Sequence, residues 1–202
     1  MSGAAPTADG AAPTADGSAI DAPGDARPRP HANCYWLLPG ALLAGQHPGL
    51  ADAVAQRAAL HALLDAGIRQ WLDLTPQDEP LPDYRAALAG CAASRGLEVQ
   101  VQRLPIVDFS VPEPALMRRI LDTLHAALQA KQPIYLHCHG GIGRTGTVVG
   151  CWLVEQGCTP EQALTLLARK WQVMEKRVRA PASPETHEQR DFILNWTPGA
   201  GR

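Results

Sequence analysis

Cys138 and Arg144 stand six positions apart in the run His137-Cys138-His139-Gly140-Gly141-Ile142-Gly143-Arg144-Thr145-Gly146. These residue types at this spacing suit attack on a phosphate. Glycine at 140, 141 and 143 lets the chain curl so that successive amides point inward, a concave nest that accepts three phosphate oxygens. Arg144 adds a permanently charged, bidentate fork. A sulfur among such donors is favoured as its thiolate, and a thiolate held in line with phosphorus is a nucleophile. Thr145 offers a hydroxyl to that sulfur when it later departs. His139 and Ile142 complete the loop, and protonation of His139 would add charge to it.

The elements that must hold this loop are legible on either side. Pro133-Ile134-Tyr135-Leu136 reads as a buried strand, and residues 145–157 are apolar enough for a helix packed on a sheet. The loop therefore lies where a strand ends and a helix begins, and there the first-turn N–H groups and the positive end of the helix dipole favour an anion.

The segment from Cys138 to Thr145 matches the Cys-x5-Arg-Ser/Thr signature and resembles the cysteine-dependent protein tyrosine phosphatases. With His137 and Gly146 included, it is most similar to the dual-specificity branch, in its small single-domain bacterial form. The resemblance implies a phosphomonoester hydrolase that works through a phosphocysteine intermediate, with no metal and no cofactor. Its substrate would be a phosphorylated protein or a small phosphoester. A nucleotide, inositol phosphate or phospholipid is the alternative, and a non-catalytic phosphate-recognising module a further one. The resemblance also implies that His137 orients the cysteine backbone from behind the loop. Loops aimed at highly charged inositol lipids usually carry lysines, and this one has none.

Three other meanings of the same letters are disfavoured by context. Gly141-Ile142-Gly143-Arg144-Thr145-Gly146 is a literal dinucleotide-binding G-x-G-x-x-G, but that fingerprint needs a second strand ending in an acid about 20 residues on. Here Thr159-Pro160-Glu161-Gln162 starts a helix instead. Metal binding by His137 and His139 lacks any further Cys or His at ligand spacing. A sulfurtransferase also uses a loop cysteine, yet the Arg144-Thr145-Gly146 flank favours phosphate.

Such chemistry needs a proton donor for the leaving oxygen, carried on a loop near the nucleophile. Asp108 is the best candidate: it follows the strand-like stretch 97–104 and precedes a helix with an apolar face at Met117, Ile120, Leu121, Leu124 and Leu128. The bland alternative is that it caps that helix. Glu113 and Asp83 are the fallback donors. Farther on, Ser183-Pro184-Glu185-Thr186-His187-Glu188-Gln189 resembles the segment that closes many members of the branch, in which Gln189 would orient the hydrolytic water. Read without the resemblance, it is a helix start, with Ser183 as cap, Pro184 at the first position and Gln189 on the surface. Arg177 and Arg179 either meet a second negative charge of the substrate or form a solvated basic face.

Composition points to one α/β domain. Of 202 residues, 46% are apolar, enough for a core with covering helices. From residue 33 the order reads two short strands, then helix and strand alternating three times, then several helices. This predicts a three-layer fold: a mostly parallel central sheet flanked by helices. Leu164, Leu167, Trp171 and Met174 form a stripe on one late helix. Tyr35-Trp36-x-x-Pro39-Gly40 and Asp73-Leu74-Thr75 extend the resemblance, so that it covers about residues 33–196.

We expect a phosphatase-type domain over 32–197, with a short C-terminal tail at 198–202. Residues 1–31 read as a disordered tail, because Ala4-Ala5-Pro6-Thr7-Ala8-Asp9-Gly10 repeats at once as Ala11-Ala12-Pro13-Thr14-Ala15-Asp16-Gly17 without an apolar seam. It lacks the charge and apolar run of a secretory signal, and no stretch of 18 apolar residues predicts a membrane span. Beyond residue 30 the chain carries 16 basic and 16 acidic residues, which disfavours binding to nucleic acid by charge. Five cysteines without zinc or disulfide spacing suit a reducing cytoplasm, and we expect a monomer there with no membrane partner.

Overall fold

The computed structural model describes residues 17–201. Five strands form one sheet: β1 (Cys34–Leu38), β2 (Leu42–Gly45), β3 (Gln70–Asp73), β4 (Gln100–Arg103) and β5 (Ile134–His137), in the order β1-β2-β5-β3-β4. β1 and β2 are an antiparallel hairpin, and every other pairing is parallel. β5 is central, buried along its whole length between β2 and β3. The three-layer fold read from the sequence is the one observed.

The pleat sorts the strand side chains into two cores. Trp36, Leu43, Trp71 and Tyr135 face one side, where α2 (Ala53–Asp65) and α3 (Arg85–Ala93) cover them with Leu60, Leu63, Leu64 and Leu88. Tyr35, Leu37, Leu42, Leu72, Ile134 and Leu136 face the other, larger core. It is covered by α4 (Pro114–Gln129), α5 (Gly143–Glu155), α6 (Pro160–Trp171) and α7 (His187–Leu194). A five-residue helix, α1 (Gly17–Asp21), precedes the sheet. Thr159 and Gln162 form a reciprocal capping box that starts α6, the helix that excluded the dinucleotide reading. Met174 is buried but lies past the end of α6 rather than on it.

Three expectations are corrected. β4 is four residues rather than the stretch 97–104, because this edge strand pairs only with the four residues of β3. The N-terminal boundary moves back from residue 32. Ile20 is in the core, the Gly24 carbonyl accepts from Trp36 N at 2.8 Å, and the buried Lys170 ammonium donates to the Ala22 carbonyl at 2.6 Å. This arm is fastened in part through its backbone carbonyls, which composition does not reveal; the heptapeptide repeat, apart from Gly17, lies outside the described residues. The C-terminal stretch is likewise held. Glu155 accepts from Gly199 N at 3.2 Å, and Arg118 Nε donates to the Ala200 carbonyl at 3.0 Å.

Candidate active site

The loop leaves β5 after His137 and enters α5 at Gly143. Three of its carbonyls are tied from outside: His47 N donates to His139 O at 2.9 Å, Lys176 Nζ to Gly140 O at 3.1 Å, and Ser183 Oγ to Ile142 O at 2.8 Å. With these carbonyls held outward, the Gly141 N–H points back to the Cys138 sulfur at 3.3 Å. Gly141 has φ +74°, and a Cβ there would sit 2.4 Å from the backbone of Gly45, so β2 permits only glycine. Gly143 is pressed against Gln189, whose amide oxygen would lie 2.7 Å from an added Cβ. No side chain caps the start of α5, and its first-turn N–H groups are left to the loop.

Arg144 is 1% exposed and organises the site. Its Nη1 donates to Glu79 Oε2 at 2.7 Å and to the Ile106 carbonyl at 3.2 Å, while Nη2 meets Glu79 Oε1 at 3.0 Å and Asp108 Oδ1 at 2.9 Å. Nε has no partner among the described residues, nor does the buried hydroxyl of Thr145. Burial works against the Arg144 charge, but Glu79, Cys138 and Asp108 outweigh it and raise its pKa. The fork is thus held bidentately by Glu79 and touched by Asp108, while Nε is left without a partner among the described residues. The hydrogen bond expected from Thr145 to the Cys138 sulfur is not formed in this structure.

Nothing in the sequence singles out Glu79. A buried arginine demands a carboxylate, but the Pro-rich connector after β3 offers Asp78, Glu79 and Asp83 with nothing in their spacing to choose between them. Because Glu79 fixes the guanidinium plane, Glu79→Gln is expected to lower kcat/KM for an aryl phosphate roughly 10- to 100-fold through misalignment of the fork. A gain in kcat/KM would instead mark Glu79 as a competitor of the substrate phosphate.

Asp108 lies on the connector between β4 and α4, half exposed and turned onto Arg144. It does not cap α4, whose N-cap is Glu113. The next residue, Phe109, takes φ +59°, an uncommon backbone for a bulky side chain, and is 58% exposed. Neither fallback acid is paired with Arg144; Asp83 instead accepts from Arg85 N at the start of α3.

Gln189 is fully buried, which overturns the surface reading. α7 starts at His187, with Thr186 as its cap and Gln189 as the reciprocal partner. Its Nε2 donates to the Ser110 carbonyl at 3.2 Å, so it also stitches the Asp108 connector to the Gly143 end of the loop. Ser183 serves the loop rather than the helix. Arg177 and Arg179 are exposed and pair with no carboxylate among the described residues. His139 is 59% exposed and lies 3.4 Å from Glu79.

Behind the loop, His137 Nε2 and the Tyr84 hydroxyl are 2.8 Å apart. Burial lowers the His137 pKa to about 4, although the nearby Asp73 works in the opposite direction. The ring is therefore neutral at physiological pH. Asp73 is occupied elsewhere, accepting from Thr75, Arg85 and Arg103. Below pH 6.5 the unfolded chain takes up a proton that the folded His137 refuses until about pH 4. Its stabilising contribution is present above the upper limit and falls with pH across this window, by at most roughly 3 kcal/mol. Urea midpoints should fall accordingly, and less steeply in His137→Gln; equal slopes would contradict a neutral, buried His137.

A loop cysteine, a buried arginine at the start of the next helix and a carboxylic acid held by that arginine are the arrangement expected of the cysteine phosphatase class. The family model described as Swiss Army Knife protein, DSP-PTPase phosphatase domain (PTP-SAK) matches residues 31–193, and the chain belongs to this family. An Arabidopsis thaliana relative, phosphatidylinositol 3,4,5-trisphosphate 3-phosphatase and protein-tyrosine-phosphatase PTEN1, is 29% identical over 100 residues. The match spans 48% of this chain but only 23% of that relative. Two solved structures share the fold. P. aeruginosa TpbA in complex with pTyr has a TM-score of 0.54 and 20% identity, covering 82% of this chain and 90% of that one. PTPMT1 in complex with PI(5)P has a TM-score of 0.57 and 17% identity, covering 78% and 90%.

Proposed function

We propose that this protein hydrolyses phosphomonoesters through a phosphocysteine on Cys138, acting on phosphotyrosine and other phosphorylated protein residues. The observation that carries the reading is that one buried arginine faces the sulfur's loop and also grips Asp108. Nucleophile, anion receiver and acid are thereby fixed relative to one another before substrate arrives. Cys138 attacks phosphorus and forms the S–P bond as the ester P–O bond breaks. Asp108 gives its proton to the departing oxygen, while Arg144 and the amides of Gly140, Gly141, Ile142 and Gly143 stabilise the equatorial oxygens. Asp108, now ionised, takes a proton from water as that water attacks phosphorus, and the S–P bond breaks. Thr145, whose buried hydroxyl has no other partner among the described residues, donates to the departing sulfur. Gln189 holds the Asp108 connector against the loop throughout.

No residue of this cycle calls for a metal or cofactor. The loop's lack of lysine favours phosphoproteins over multiply charged inositol lipids. All five cysteines are free thiols, which suits a monomeric enzyme in a reducing cytoplasm, and no described helix is long and apolar enough to cross a membrane. The test is a panel of phosphopeptides, nucleotides and inositol phosphates turned over in EDTA. Phosphotyrosyl peptides should show the highest kcat/KM. A preference for inositol phosphates would move the substrate assignment, and dependence on added metal would overturn the mechanism.

A further inference from the structure

We propose that Lys176 is a positioning residue of the loop: its ammonium ties down the Gly140 carbonyl and supplies a fixed positive charge that faces the Cys138 sulfur and raises its reactivity. The inference rests on the reading of Cys138 as the nucleophile. The Arg144 guanidinium is already engaged by the Glu79 carboxylate and by Asp108. His137 is neutral, and burial likewise lowers the His47 pKa. His139 is exposed and lies beside Glu79. Tyr35 and Tyr135 also face Cys138, and burial pushes both pKa values upward, so they bring no charge. The N-terminus of α5 contributes about half a positive charge.

Lys176 is the cation left over. It lies outside the signature run, on the 3-10 turn Glu175–Val178 after α6, and its Nζ donates to the Gly140 carbonyl at 3.1 Å. No carboxylate pairs with it among the described residues. The turn is pinned by its backbone: Lys176 N donates to Asn33 Oδ1 at 3.1 Å and Glu175 N to the Ala32 carbonyl at 3.3 Å. Gln46, which packs beneath Gly141, donates its backbone N–H to the carbonyl of the same Asn33 at 3.1 Å. One rigid edge therefore sets the height of both the ammonium and the loop. Burial lowers the Lys176 pKa, and the facing Cys138 sulfur works against that shift. A partly buried ammonium is also less screened than Arg177 or Arg179 on the surface.

The experiment is alkylation of the full chain by iodoacetamide as a function of pH, read on the Cys138 peptide by mass spectrometry because four other thiols are present. Lys176→Met and Lys176→Gln should each cut labelling at mildly acidic pH by roughly three- to tenfold, with the alkaline plateau unchanged. Lys176→Arg should stay near the parent, as should the control Arg177→Ala. Glutamine can still donate to Gly140, so it separates charge from tether. A parent-like profile in Lys176→Met, or in Lys176→Gln alone, would overturn the assignment of charge. Loss of labelling at every pH in both would show a collapsed loop and contradict it too. Labelling needs no turnover, so failure of the phosphatase reading would be seen separately in the substrate panel.

Discussion

Cys138→Ser is expected to abolish turnover, with kcat for an aryl phosphate falling on the order of 10⁵-fold or more. The size follows from the geometry. Cys138 is 2% exposed, and its sulfur lies 3.3 Å from the Gly141 nitrogen, within a loop whose carbonyls at 139, 140 and 142 are all bonded to groups outside it. A thiol ionises far more readily than a serine hydroxyl, which is almost entirely protonated at neutral pH. The same frame would continue to bind phosphate, because Arg144 and the loop amides are untouched. The variant should therefore retain affinity for an unreacted phosphopeptide while losing catalysis, and equilibrium binding beside steady-state kinetics checks both halves. Residual activity near the parent level would remove Cys138 from the chemistry.

The second large effect is at Asp108. Asp108→Asn keeps the size and the contact with Arg144 but has no proton to give, so kcat for an alkyl or tyrosyl phosphate should fall roughly 10²- to 10⁴-fold. An ester whose leaving group departs without protonation should suffer much less. This dependence separates general-acid catalysis from mere support of Arg144, since loss of support would slow good and poor leaving groups alike. Rates for the parent and Asp108→Asn across aryl phosphates of graded leaving-group acidity supply the measurement. A uniform drop along that series would assign Asp108 a positioning role and return the search to Glu113 or Asp83.

Both residues are legible in the chain without coordinates. Cys138 and Arg144 lie in one local segment, where glycine placement and the change of hydrophobic period already describe a strand, a loop and a helix. Asp108 emerges from asking which acid a connector between two clear elements would carry. Glu79 is harder because its role depends on tertiary packing: the connector after β3 folds over Arg144, and no local pattern tells which of three acids points inward. Gln189 shows the same limit from the other side. Its capping box with Thr186 is local, yet its contacts with Ser110 and Gly143 come from segments far apart in sequence. The N-terminal arm escapes a compositional reading because a stretch of Ala, Pro and Asp can dock through backbone carbonyls, as Ala22, Gly24 and Pro28 do toward Lys170 and Trp36.

The central claim is a covalent phosphocysteine, and rapid acid quenching during turnover of a phosphotyrosyl peptide tests it most directly. Digestion and mass spectrometry should place phosphate on the Cys138 peptide in the parent protein, with none on that peptide in Cys138→Ser. Turnover at the parent rate with phosphate on another residue, or with water attacking the substrate directly and no adduct formed, would contradict the account.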